Sequence, residues 1–290
     1  MPFFFILCCV FSLNILNAQA GGNITYSRQN QSTPKVPLSG ELSDKEGMFL
    51  EANVMMNVFA DDYVALFALS QEAKTLQECS QKMDQKINDF LGALKEKEIP
   101  SEQIFVDFVG QNRIYDYEIT NQIAIEKLVG FELKKNIFIQ YSDRFFIDEL
   151  TLIAARFEIF DLVKVDYVVK DISAIQSKLF EEAVQVIRQK QERYKLLLQL
   201  SFRPFIQIHQ EKHHIYYPSE NYDTYTAHES AEITNYYYNN GYRVKGSRKN
   251  KTFFFNALTP DGFDRVIHPV VKEPMVQFTC YLKIKAEIDR

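Results

Sequence analysis

The end of the chain carries a pattern that only a sheet can satisfy. Val276, Phe278, Cys280, Leu282, Ile284, Ala286 and Ile288 alternate with Gln277, Thr279, Tyr281, Lys283, Lys285 and Glu287. Strand side chains point to opposite faces with period two, so these seven residues form one continuous apolar face. A face of that length has to be covered, and the chain end is therefore expected to close a sheet rather than trail in solvent. The first regular segment has the same period: Leu50, Ala52, Val54, Met56 and Val58 alternate with Glu51, Asn53, Met55 and Asn57. The strand over 275–288 is expected to pair with this region, residues 50–70. Ala60-Asp61-Asp62 interrupts the early segment before a second strand over 63–70. So short a connection predicts an antiparallel hairpin.

Between these ends the apolar period changes from two to three or four. Leu76, Cys79, Met83, Ile87, Phe90, Leu91 and Leu94 mark a long helix, with Thr75 or Lys74 near its start and Pro100 beyond its end. A strand over 103–109 follows. Phe131, Leu133, Lys135, Ile137, Ile139 and Tyr141 define a middle strand, residues 143–160 a second helix, and Val163, Val165, Tyr167 and Val169 another strand. Asp171 can cap a third helix with the stripe Ile175, Leu179, Ala183, Val186 and Ile187. Its last turns, Leu196-Leu197-Leu198 with Leu200, are apolar on more than one side and are expected to be deeply packed. Pro204 stops the helix, and 205–217 reads as extended. The fold class is α+β.

Residues 1–20 join an apolar run, 3–16, to Ala18-Gln19-Ala20, the layout of a secretory signal peptide cleaved after Ala20. The run is shorter than the roughly 17–25 residues of a membrane span, and no later segment is apolar enough to be one. A periplasmic or secreted location is the expectation, with no transmembrane segment after cleavage. Residues 21–43 are polar, lack a hydrophobic period and read as a flexible leader. The formal net charge is −5, and residues 1–20 contribute no charged side chain. An acidic chain has no general attraction to nucleic acid. Cys79 and Cys280 both fall on apolar stripes, which favours buried free thiols; a disulfide between them stays open.

The order of elements resembles the SIMPL-domain (YggE-like) family. The matching stretches are 48–108, with its long helix ending in a turn of Lys95, Ile99 and Pro100; 130–171, opening on Gly130-Phe131; and 271–288, with Lys272-Glu273-Pro274 before the last strand. The resemblance implies a two-part α+β architecture of antiparallel sheets and packed helices, with a ferredoxin-like middle part. The expected division is 44–115 plus 204–290 as a discontinuous first subdomain, and 116–203 as an inserted middle subdomain. It also implies an envelope or secreted protein, linked in some relatives to oxidative-stress defence and in others to ring-like homo-oligomers. It implies no defined reaction and supplies no catalytic residues. The chain departs from the family in the bulky stretch 195–205 and in a tyrosine-rich expansion over 216–256.

No nucleophile elbow, phosphate loop, dinucleotide fingerprint or C-x-x-C is present, so no catalytic or cofactor-binding residue is assigned and the expectation is a protein that is not an enzyme and needs no cofactor. His209, His213, His214 and His228 lie near Glu211, Glu220, Asp223 and Glu229, a set that could offer zinc or copper ligands. Against that, adjacent His213 and His214 point to opposite faces of a strand. Eight tyrosines, at 216, 217, 222, 225, 236, 237, 238 and 242, sit among Asn, Ser, Thr and Asp. Aromatic rings in polar loops make protein contacts or stack on sugars. Tyr236, Tyr237 and Tyr238 are the candidate contact surface, with self-association ahead of another protein partner and a glycan as the alternative.

Overall fold

Both edges of the first long strand are occupied, and this decides the architecture. The computed structural model describes residues 24–27, 47–120, 123–227 and 252–289. Strand β2 (Gly47–Val58) lies between β10 (Arg265–Ile267) and β11 (Val276–Asp289); β7 (Ser201–Tyr216) completes the order β10-β2-β11-β7. Strand β3 (Asp62–Ala73) lies between β5 (Ile123–Tyr141) and β6 (Asp161–Val168), with β4 (Ile104–Thr120) outside β5. The expected hairpin of β2 with β3 is therefore absent. With both edges of each strand already paired, the chain crosses from one sheet to the other at 59–61.

The expected closure by the terminal strand is present. β11 runs antiparallel to β2, with Phe278 opposite Met56, Cys280 opposite Val54, Leu282 opposite Ala52 and Ile284 opposite Leu50. Helix α3 (Ile172–Leu198) covers this face with Leu179, Ala183, Val186 and Ile187. On the sheet's other face Gln277 and Asn57 are buried as a hydrogen-bonded pair, Nε2 to Oδ1 at 2.7 Å. Gln277 Oε1 accepts from the Leu258 amide at 2.6 Å and Asn57 Nδ2 donates to the His268 carbonyl at 2.8 Å, so both polar groups are satisfied.

The second sheet carries α1 (Leu76–Glu96) and α2 (Phe146–Arg156) on one face. Cys79, Met83, Ile87, Phe90 and Leu94 of α1 are buried there, as its period requires. Thr75 caps α1 by accepting from the Glu78 amide, and Asp171 caps α3 through the Ala174 amide. Cys79 and Cys280 are free and buried, one in each core. The packed end expected for α3 is a correction: Leu196 and Leu197 are 81% and 73% exposed. A helix of 27 residues is roughly 40 Å long and outruns the sheet beneath it. Lys190, donating to the Glu51 carbonyl at 2.7 Å, and Tyr194 are its last inward contacts.

These two sheets belong to one compact unit, Thr33–Tyr222 with Phe255–Arg290; a second comprises Met1–Ser32 and Asp223–Phe254. A three-stranded sheet, β1 (Ile24–Ser27), β8 (Tyr222–Ala227) and β9 (Thr252–Phe255), has the order β1-β8-β9, with β1 antiparallel to β8. Within the polar stretch 21–43, Ile-Thr-Tyr supplies the β-branched and aromatic side chains that favour such a strand. Residues 1–20, where a signal peptide is expected, lie outside the described residues.

Two aspartates hold the crossing. Asp61 accepts the Lys170 amide at 2.8 Å through Oδ2, and its own amide donates to the Val168 carbonyl at 2.8 Å. Asp62 is buried and accepts from Ser142 at 2.6 Å, Gln140 at 3.0 Å and Lys170 at 2.8 Å. Hydrogen bonds from Lys170 and Ser142 hold its carboxyl below the usual range, against the opposing effect of burial. Asp62→Ala is expected to destabilise the protein by about 2–3 kcal/mol in a denaturant melt, since it removes three hydrogen bonds made to one buried, charged carboxylate. A lowered folded-state pKa contributes stability that is complete above the unfolded value of 3.8 and is lost as pH falls through the folded one. The gap between wild type and variant should therefore narrow only below that pH.

Candidate functional site

Three tyrosines line up where the covered face of the second sheet runs out. Tyr141 ends β5, Tyr63 opens β3 and Tyr167 closes β6, and the register places Tyr63 opposite both of the others. Directly paired residues share a face, so the rings form a row across three strands. Tyr63 stacks on Tyr141 at 5.5 Å between centroids and meets Tyr167 edge-on at 5.2 Å. Helix α2 begins beside this row, Phe146 lying 5.8 Å from Tyr141, and leaves the row's outer side open.

That opening is a cavity of about 580 Å³. Val163, Val165 and Ile147 give it apolar walls, while Tyr222 approaches from the first position of β8 and Glu273 and Pro274 from the segment before β11. Arg144 pairs with Glu273, and its guanidinium lies 4.5 Å above the Phe145 ring. Lys164 is held by Asp166 at 2.8 Å. Burial pushes the Tyr141 and Tyr167 hydroxyls up, and a hydrogen bond with Tyr222 adds to the effect at Tyr167. The Tyr141 and Tyr167 side chains are thus neutral O–H groups at physiological pH.

A second feature rises from the other end of the same sheet. β3 pairs with β5 only as far as Ala73 opposite Phe131, whereas β4 and β5 continue together to Thr120 opposite Ile123. The excess is a two-stranded ribbon projecting roughly 25 Å at 3.3 Å per residue. Gly130 marks its root: a Cβ there would come within 2.8 Å of the Ala73 carbonyl oxygen, so the close approach of β3 requires glycine. One face of the ribbon presents Tyr115, Tyr117, Ile119 and Leu128, with Ile119 76% exposed; the other carries Ile123 and Ile125 beside the Lys127–Glu118 ion pair at 3.2 Å.

The three described histidines of this stretch, His209, His213 and His214, do not converge. His213 lies opposite Cys280 on the core face of β7, bonded to Glu211 at 2.9 Å, with its Nδ1 buried and lacking a partner among the described residues. His214 lies opposite Thr279 on the other face. His209 packs against Phe49 at 4.9 Å, five residues or roughly 16 Å along the strand from His214. Ligands of one ion sit about 2 Å from it, so this spread is far too wide. Among the described residues no three His, Cys, Asp or Glu side chains gather where a metal could bind. Burial, with the Glu211 charge adding to it, pushes the Cys280 thiol up to about 12, which leaves it protonated and unreactive.

His228 and the tyrosines at 236–238 lie outside the described residues. The pocket and the ribbon were both missed in the sequence. For the ribbon, the signal was the β-branched and aromatic content of RIYDYEIT and IAIEKLV on either side of residues 121–122. For the pocket, it was the recurrence of tyrosine at three strand ends. Among the described residues no helix is long and apolar enough to cross a membrane.

No match to this chain is found among curated proteins. A family model described as SIMPL, protein of unknown function (DUF541), matches residues 50–240. That span is more than half of the chain and holds the β2–β3 crossing, all three helices and the tyrosine row, so the chain belongs to the SIMPL family.

Proposed function

We propose that this protein acts outside the cytoplasm, in the cell envelope or secreted, as a non-enzymatic SIMPL-family protein that works by self-assembly through the β4–β5 ribbon. The observation that carries this reading is the exposed apolar surface of the ribbon. A free-standing two-stranded ribbon is marginal in water, and among the described residues nothing pairs with β5 past Phe131 or with the outer edge of β4. Exposed apolar side chains combined with open edges are what β-strand addition uses, and a second copy brings the same ribbon in self-complementary form. The apolar run and Ala18-Gln19-Ala20 support export. Family resemblance supports an envelope role, including defence against oxidative stress.

Light scattering behind size-exclusion chromatography, over a concentration series, tests the assembly. Wild type is expected to exceed the monomer mass as concentration rises. Tyr115→Asp with Ile119→Asp, two changes on one exposed face, should weaken association at least tenfold and leave the melting temperature unchanged. A wild type that stays monomeric throughout, or a variant that assembles equally well, would sink the reading.

A further inference from the structure

We propose that the tyrosine-lined cavity is a binding site for a small, uncharged aromatic molecule of one or two rings. The volume of about 580 Å³ lies within the range of pockets that enclose small organic ligands. Its walls decide the class. Every charge lining the cavity is already matched: Arg144 by Glu273, and Lys164 by Asp166. The cavity therefore offers an ionic ligand no unmatched charge of its own to pair with.

Stacking surface is what the cavity offers instead. Tyr63 and Tyr167 are half-buried, each with part of its ring open, and Tyr222 is exposed. Tyr141 stands behind Tyr63 at 5.5 Å and Tyr167 is set edge-on to it at 5.2 Å, so the rings are held by their neighbours before any ligand arrives. A flat guest gains an offset-stacked or edge-to-face contact on entry, worth about 0.5–1.5 kcal/mol per ring pair beyond area burial. The hydroxyls of Tyr167, Tyr222 and Ser219 give a ligand N–H or O–H a place to bond.

Sugars also stack on tyrosine, but they need side-chain carboxylates or amides for their hydroxyl groups. Among the lining residues Asp, Asn and Gln are absent, and the Glu273 carboxylate is committed to Arg144. The site is independent of the ribbon, which leaves the sheet at its opposite end.

The chain contains no tryptophan, so indole can serve as a probe whose fluorescence is its own. Fluorescence anisotropy of indole titrated with the full chain should show saturable binding. Val163→Phe fills the cavity from an exposed position, and Tyr222→Ala removes a wall. Each is expected to weaken binding at least tenfold, with the melting curve unchanged. In equilibrium dialysis, cyclohexanol, benzoate and glucose should compete poorly. Absence of saturable indole binding, or equal binding by both variants, would overturn the site. Cyclohexanol matching indole, or preferential binding of glucose or benzoate, would overturn the aromatic class.

Discussion

Truncation after Lys272 is expected to abolish the folded state, not merely weaken it. The cut removes β11, the strand that pairs with β2 on one side and β7 on the other. Met275, Val276, Phe278, Cys280, Leu282, Ile284 and Ala286 are each 3% exposed or less. Burial of a large apolar side chain stabilises by about 1.5–3 kcal/mol, so the loss is on the order of 10 kcal/mol, comparable with the whole stability of an ordinary domain. Unpaired backbone along β2 and β7 adds to it. Far-ultraviolet circular dichroism and a thermal melt provide the check. The truncated chain should show no cooperative transition and should collect in the insoluble fraction. A soluble product melting like the intact protein would show that β11 is dispensable.

That this strand could be recognised in advance, while others could not, has a physical basis. β11 and α1 each turn their apolar residues to a single core, so their apolar periods of two and of three to four are unmixed. The caps Thr75 and Asp171 act through local hydrogen bonds that depend on nothing distant. The pairing of β2 and β3 is different. A three-residue break is compatible with a hairpin or with a crossing between sheets, and only the claims of β10, β11, β5 and β6 on the strand edges decide between them. Likewise, Leu196, Leu197 and Leu198 read as core because hydrophobicity says nothing about where the supporting sheet ends.

The candidate sites were less legible for related reasons. A ribbon exposed on both faces has no buried stripe, so its alternation is faint and its length stays hidden. The pocket joins Tyr63, Tyr141 and Tyr167 across 104 positions of chain, and only strand register brings them together. The three described histidines, His209, His213 and His214, show the converse. Closeness in sequence made them look like a ligand set, yet a strand turns His213 away from His214 and spaces His209 from both.

The largest point-mutation effect is expected at Phe90, on the inner face of α1. Its ring is fully buried, 6.3 Å from Phe67 of β3 in a T-shaped contact and 6.0 Å from Phe157 beyond α2, so it joins both helices to the sheet. Phe90→Ala should cost about 3–5 kcal/mol, the transfer energy of the ring plus the cavity left behind. Phe90→Leu keeps most of the volume and should cost less. Hydrogen exchange makes the test more specific, because the buried side chains form two clusters and Phe90 belongs to the one that includes β3, β5, α1 and α2. If the clusters open separately, amides of α1 and β3 lose protection in Phe90→Ala while those of β2, β11 and α3 retain it. Equal loss in both would show a single cooperative unit, with the aspartate-held crossing at 61–62 coupling the sheets. Separate opening would also loosen the sheet from which the ribbon springs, and would weaken self-association before the protein as a whole unfolds.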